Sequence, residues 1–272
     1  MTRGFQDQFV TVNGLALHYV NWEAGPETSD RRPMVLVHGV TDNCRLWDHI
    51  ARSFCQEHHV LALDQRGHGD SEWSPEKAYT SLDLASDLSA FFTELGLRDA
   101  VLIGLSWGGL VALIHAAEHP ETVHKLVLVD IGCEFDEPET AVPDRPLEFP
   151  NDKALEDYER SASPFPALWT LRPRMRASVR EQDGSLVRKH DPFFARHWPF
   201  RAMRYWEYAR RVACPGLLLR GTESFVLSAG MAKRTSEALP DGRWVEIPDA
   251  AHLIPLDNPP AFEAAVRTFL AD

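Results

Sequence analysis

Long apolar runs are missing from this chain. No segment approaches the ~18 uninterrupted apolar residues of a membrane-spanning helix, and Met1-Thr2-Arg3-Gly4-Phe5-Gln6-Asp7 lacks the apolar centre of a secretory leader. A cytoplasmic protein without a membrane partner is the expectation. Cysteine is scarce: Cys44, Cys55, Cys133 and Cys214 are scattered with no C-x-x-C spacing, which argues against a zinc site or a disulfide framework and leaves four buried small hydrophobes. The twelve histidines contain no H-E-x-x-H pattern, so no metal site is expected. Positive charge is also short. With 28 Lys plus Arg against 40 Asp plus Glu, the net charge of -12 speaks against nonspecific nucleic-acid binding.

What the chain does contain is a repeating alternation. Its 272 residues, 44% apolar, suffice for one α/β core with an inserted lobe and are too few for two large domains. Asn13-Gly14 between Gln8–Val12 and Leu15–Val20 predicts an opening hairpin. Short apolar strands are then expected at Met34–Val37, Val60–Leu63, Ala100–Ile103, Lys125–Val129, Gly216–Leu219 and Arg243–Ile247. Between them fall helical patterns: Trp47, Ile50, Ala51 and Phe54; then Leu84, Leu88, Phe91 and Leu95 behind a Thr80 cap and ahead of Gly96; then Leu110, Leu113, Ile114 and Ala117. A further helix is expected from about Ser228 to Leu239, and a last one from Pro259-Pro260, with Phe262, Val266 and Phe269 inward. This pattern predicts a mostly parallel sheet, doubly wound, with ligands bound at the carboxyl ends of its strands.

The pattern lapses between Cys133 and Val212, where prolines (138, 143, 146, 150, 164, 166, 173, 192, 199) break an aromatic-rich stretch. A largely helical lid over 133–212 is expected, inserted into a core formed by 1–132 and 213–272, with a helix carrying Ala202, Tyr205, Trp206, Ala209 and Val212 near its end. Phe165, Trp169, Phe193, Phe194 and Trp198 are candidates for its underside, against the simpler reading that they are its own small core. Charge is segregated within it: 134–159 holds ten acids and two bases, 160–212 twelve bases and four acids.

Chemistry concentrates at Gly104-Leu105-Ser106-Trp107-Gly108-Gly109, where a G-x-S-x-G turn joins an apolar strand to a helix. Such a turn is too tight for side chains two before and two after the serine. A serine hydroxyl is a poor nucleophile at neutral pH and needs an imidazole to take its proton. His252, after the last strand, is the candidate base. His38 competes by residue type, but a histidine between a buried strand and a glycine more often holds its loop.

Four pieces in order, the His38-Gly39 loop, Asp64-x-Arg66-Gly67-x-Gly69-x-Ser71, the Ser106 turn and His252, resemble the α/β-hydrolase fold superfamily over nearly the whole chain. The resemblance implies a serine nucleophile, a histidine base, an orienting carboxylate and an oxyanion hole, here the N–H groups of Val40 and Trp107. In most relatives the acid follows the strand corresponding to Leu217–Leu219, yet that loop, Arg220–Leu227, holds no aspartate and offers only Glu223. In a subset the acid instead lies 24 positions past the nucleophile, where this chain has Asp130. Asp130 is the first choice and Glu223 the second, since the role asks only for a buried carboxylate beside the histidine.

The reaction implied is cofactor-independent acyl transfer to water on a small ester, lactone or amide. Hydrolysis of a carbon-carbon bond in a diketone-like acid is the alternative within the fold, and a non-turnover ligand receptor the alternative of another class. His38, Trp169, Arg172, Phe193 and Trp198 are the candidate substrate contacts. Arg172, Arg174, Arg176, Arg180, Arg196, Arg201 and Arg204 would suit a substrate carboxylate, unless they pair with the acidic first half of the lid.

Overall fold

The computed structural model describes residues 4–22, 31–135, 145–198, 200 and 203–272; positions 23–30, Pro138, Pro143, Pro199, Arg201 and Ala202 lie outside them. The chain opens as the expected hairpin, β1 (Gln6–Val12) and β2 (Leu15–Trp22), turning at Asn13 and Gly14 with φ of 48° and 79°. That left-handed pair is what a two-residue hairpin requires. Strands and helices then alternate: β3 (Pro33–Val37), α1 (Asp48–Phe54), β4 (His59–Leu63), α2 (Ser81–Glu94), β5 (Ala100–Leu105), α3 (Trp107–Glu118) and β6 (Val123–Val129).

An excursion follows, carrying β7 (Glu148–Phe149), α4 (Asp152–Ala162), α5 (Leu168–Ala177), β8 (Val179–Gln182), β9 (Ser185–Arg188) and α6 (Trp206–Arg211). The chain then returns through β10 (Gly216–Gly221), α7 (Ala229–Ala238), β11 (Gly242–Ile247), α8 (Ile254–Asp257) and α9 (Pro259–Ala271).

One eight-stranded sheet runs in the order β1-β2-β4-β3-β5-β6-β10-β11, antiparallel through the opening hairpin and parallel from β4 onward. The parallel strands are apolar on both sides because both faces are covered. Val35 and Val37 of β3 join a cluster with Leu88 and Phe91 of α2 and Leu110 and Leu113 of α3, whereas Met34 and Leu36 join one with Ile50 and Phe54 of α1 and Phe262, Val266 and Phe269 of α9. Thr80 caps α2 in a capping box with Asp83, and Ser228 caps α7 by accepting from the Met231 N–H. The four cysteines are buried and unpaired.

The order β5-β6-β10-β11 matters most for function. It sets the carboxyl ends of four consecutive parallel strands side by side.

The excursion, expected to be largely helical, carries α4, α5 and α6 and, besides them, a three-stranded antiparallel sheet, β7-β9-β8, that the sequence reading did not include. The β8–β9 turn is Asp183-Gly184, at φ of 50° and 83°, the same turn chemistry as Asn13-Gly14. Val179-Arg-Glu-Gln and Ser-Leu-Val-Arg are too short and polar to display an apolar period, so only the turn signals them. The helix expected through Val212 is confined to Trp206–Arg211, with Tyr205 and Val212 flanking it.

Candidate active site

Ser106 leaves β5 at φ 53° and ψ -126°, a strained conformation for a residue with a side chain. The strain is sustained by close backbone packing that only glycine permits. A Cβ on Gly104 would lie 2.3 Å from the Gly108 oxygen, and one on Gly108 would lie 2.4 Å from the His38 oxygen. A Cβ on Gly109 would meet Ile131 Cγ2 at 2.7 Å. Ser106 thereby heads α3, with the Trp107 N–H at the positive end of the helix. Its side chain is almost covered, at 6% exposure.

On the neighbouring strand, Leu105 is in register with Val129, and the Ser106 N–H donates to the Val129 carbonyl at 2.9 Å. Asp130 comes next, fully buried and at φ 49°. Its Oδ2 accepts from His252 Nδ1 at 2.8 Å and from the Ser224 hydroxyl at 2.6 Å, while Oδ1 accepts from the Gly221 N–H at 3.2 Å. With Nδ1–H committed to Asp130, Nε2 is the basic atom of the His252 ring.

The loop bearing His252 follows β11 and is tied down by Asp257, whose Oδ2 accepts from the Ala251 N–H at 2.8 Å. Burial pushes the Asp257 carboxyl up to about 6. Gly221 is required beneath this loop, since a Cβ there would lie 2.2 Å from the Ala251 oxygen.

The structure thus brings Asp130 and His252 into contact, with Ser106 on the adjacent strand end. Ser106 Oγ makes no hydrogen bond among the described residues, to His252 or to any other. A nucleophile–base bond that is loose in a free enzyme closes once substrate is seated. Glu223 is not brought to His252: its side chain is exposed and its N–H donates to the Ala250 carbonyl. Ser224, the residue after it, makes the contact with Asp130 instead. The usual acid loop therefore still reaches the site, through a hydroxyl that sequence alone did not single out.

Val40 and Trp107 supply two amide N–H groups that donate to no described acceptor. The loop carrying Val40 passes directly over Ser106, for a Cβ on Gly39 would lie 3.1 Å from Ser106 Cβ. His38 is fully buried, its Nδ1 bonded to the Gly39 carbonyl at 2.7 Å and its Nε2 accepting from the Gln65 N–H at 3.1 Å. Both ring nitrogens are used in holding the loop, which corrects its candidacy as a substrate contact.

One group of metal-ligand side chains occurs among the described residues: His18, Cys44 and Asp64, with ligand atoms within 4.8 Å of one another. Asp64 already accepts from His18 Nδ1 and from the Cys44 and Asp70 N–H groups. Burial and the Asp64 charge push the Cys44 thiol well up, which makes it a poor metal ligand. The cluster is satisfied from within and does not fit an ion.

Of the aromatics of the excursion, Phe194 is fully buried against His68 at 4.4 Å, Tyr79 at 4.6 Å and Trp107 at 5.7 Å. Phe193 packs on Tyr79 and stacks on His197, and Trp198 stacks on Phe200, which lies 5.2 Å from Trp107. Phe165 and Trp169 do not belong to this wall. They are 44% and 60% exposed, and the ring that Trp169 meets among the described residues is His49 of α1, edge-on at 4.9 Å. Arg172 is likewise solvent-facing, 3.8 Å from Glu156.

The arginines of the excursion pair mostly within it. Arg174 and Arg188 share Glu159, Arg176 meets Asp152 and Glu181, and Arg204 meets Glu134. Arg174 also bonds Asp42, on the loop after β3, at 2.8 Å.

A family model described as the alpha/beta hydrolase fold matches residues 32–259. A 2-(acetamidomethylene)succinate hydrolase of Mesorhizobium japonicum is 29% identical over 244 residues, covering 87% of each chain. An sn-1-specific diacylglycerol lipase of Mus musculus is 25% identical over 276 residues, covering 91% of this chain and 89% of the lipase. Among solved structures, that of E-2-(acetamidomethylene)succinate hydrolase superposes with a TM-score of 0.87 at 24% identity, over 99% of this chain and all of the other.

Proposed function

The chain belongs to the alpha/beta hydrolase fold family, and from that premise we propose that it is a serine hydrolase working through an acyl-enzyme on a small ester, lactone or amide. Ser106 Oγ attacks the scissile carbonyl while His252 Nε2 takes its proton. The imidazolium that forms is stabilised by Asp130 through the Nδ1 bond. The Val40 and Trp107 N–H groups receive the negative charge that develops on the carbonyl oxygen. His252 returns the proton to the leaving group, and water repeats the sequence on the acyl-serine with the same base.

The observation that carries this reading is the 2.8 Å bond between Asp130, at the end of the strand beside that of Ser106, and His252, after β11, with the serine held at positive φ. Residues 133–212 act in it as a lid that covers Ser106 and supplies part of the pocket wall. The relative from Mesorhizobium japonicum acts on a compound with an acetamido group and a succinate backbone, which supports an acidic amide or ester as the substrate class.

Labelling with a fluorophosphonate tests the reading. Wild type is expected to be modified at Ser106, Ser106→Ala not at all, and His252→Ala far more slowly. Labelling that survives Ser106→Ala, or an unlabelled wild type, would count against it.

A further inference from the structure

Arg66 is buried against Asp87, and Arg174 and Arg188 against Glu159. Arg145 is different. Its Nη1 donates to the Thr41 hydroxyl at 2.5 Å and its guanidinium lies 5.1 Å from the Trp198 ring centre, but no carboxylate among the described residues comes within ion-pair distance. The other donors of the fork meet no described acceptor, and none is sealed off in the interior. A half-buried cation with no carboxylate at ion-pair distance carries a desolvation cost that a bound anion would relieve. Burial, reinforced by Arg174, pushes the guanidinium below the ordinary arginine range, although Tyr158 and Glu159 oppose the shift.

Both anchors of Arg145 lead to the oxyanion hole. Thr41 follows Val40, on the loop that crosses Ser106, and its own φ of 59° is unusual for a β-branched residue. Trp198 stacks on Phe200, whose ring centre lies 5.2 Å from that of Trp107, the other oxyanion donor. Through Thr41 the fork is fixed to the residue next to Val40, on the loop that crosses Ser106.

We propose that Arg145 receives a carboxylate of the substrate in this position, so that the enzyme selects short-chain esters, lactones or amides bearing an acid group near the scissile carbonyl. The inference rests on the acyl-enzyme reading for the identity of the reacting carbonyl. Guanidinium and carboxylate match as a planar two-bond fork, which fixes the acyl chain as well as attracting it. Trp198, with its ring centre 5.1 Å from the guanidinium, would help to hold the fork in place.

Two readouts test the proposal, one of them independent of turnover. In kinetics, the mono-p-nitrophenyl ester of succinic acid is compared with p-nitrophenyl butyrate. The ratio of kcat/KM for the acidic over the neutral ester is expected to fall about 100-fold in Arg145→Met and about tenfold in Arg145→Lys, which keeps the charge but not the fork. Arg176→Met, which removes an exposed cation paired with Asp152 and Glu181, leaves the ratio as it is. In binding, calorimetry with succinate on Ser106→Ala is expected to show an affinity that drops about 100-fold when Arg145→Met is added.

Equal losses on both esters, or succinate binding that ignores Arg145 or is absent, would overturn the proposal. Should Arg145→Met fail to fold, Arg145→Lys decides the same comparison. Turnover of the neutral ester that depends on Ser106 leaves the acyl-enzyme reading standing whatever Arg145 does.

Discussion

Two adjoining regions bury charge in opposite ways. At the ends of β6, β10 and β11, Asp130 is fully buried and bound by a hydroxyl, an amide and an imidazole. Where the excursion meets the core, Glu159 lies between two guanidinium groups, and one of those, Arg174, continues to Asp42. The second arrangement cancels its charges internally and is locked. The first is held mostly by neutral donors, so its charge is still free to respond when the imidazole gains a proton. A buried carboxylate becomes chemically useful when its partners leave that response open.

The largest effect expected from this contrast is at the site. Ser106→Ala is expected to lower kcat by about 10⁴ to 10⁶-fold with the thermal midpoint nearly unchanged, since triad members act as a unit. The locked cluster should behave conversely. Glu159→Gln leaves two cations facing each other and should cost ~3–5 kcal/mol in urea unfolding, with a smaller effect on the chemical step.

The same residue sets a pH dependence. Burial raises the Glu159 carboxyl but Arg174 and Arg188 outweigh it and hold it at about 2. A depressed carboxylate stabilises the fold above its unfolded value of 4.5 and loses that contribution as pH falls toward 2. Stability worth ~3 kcal/mol should therefore disappear across that window in wild type and not in Glu159→Gln.

Smaller effects sharpen the comparison. Ser224→Ala removes one donor from Asp130 and should reduce kcat about tenfold while leaving stability close to wild type. Asp257→Asn keeps an acceptor for the Ala251 N–H but removes a group whose value is raised to about 6. A raised carboxyl destabilises the fold as pH climbs from the unfolded value to the folded one, so this variant should be more stable at pH 7 by about 1 kcal/mol. Unfolding at pH 4 and pH 7 would separate the two signs.

Much of the frame was legible in the residues themselves because its causes are local. Asn13-Gly14 specifies a hairpin, Gly104 and Gly108 specify the turn at Ser106, and apolar runs specify strands that are buried on both faces. The spacing of Asp130 from Ser106 also pointed to the strand end whose carboxylate bonds His252 at 2.8 Å. Asp183-Gly184 carried an equally local signal, but its strands were too polar to draw attention to it.

Contacts between distant segments were not legible. Ser224 reaches Asp130 across 94 positions, Arg145 reaches Thr41 across 104, and Arg174 reaches Asp42 across 132. No periodicity records such pairings, so the sequence singled out Arg172 and Trp169, which are exposed, and passed over Arg145, which bonds Thr41.

The measurement that bears most directly on the account is kcat for Asp130→Asn beside Glu223→Gln, on one ester and with equal folding checked for both. Asp130→Asn is expected to lose about 10⁴-fold, through an imidazole left without its carboxylate, and Glu223→Gln to stay within about twofold of wild type. A severe loss at Glu223 with Asp130→Asn near wild type would contradict the placement of the acid at the end of β6.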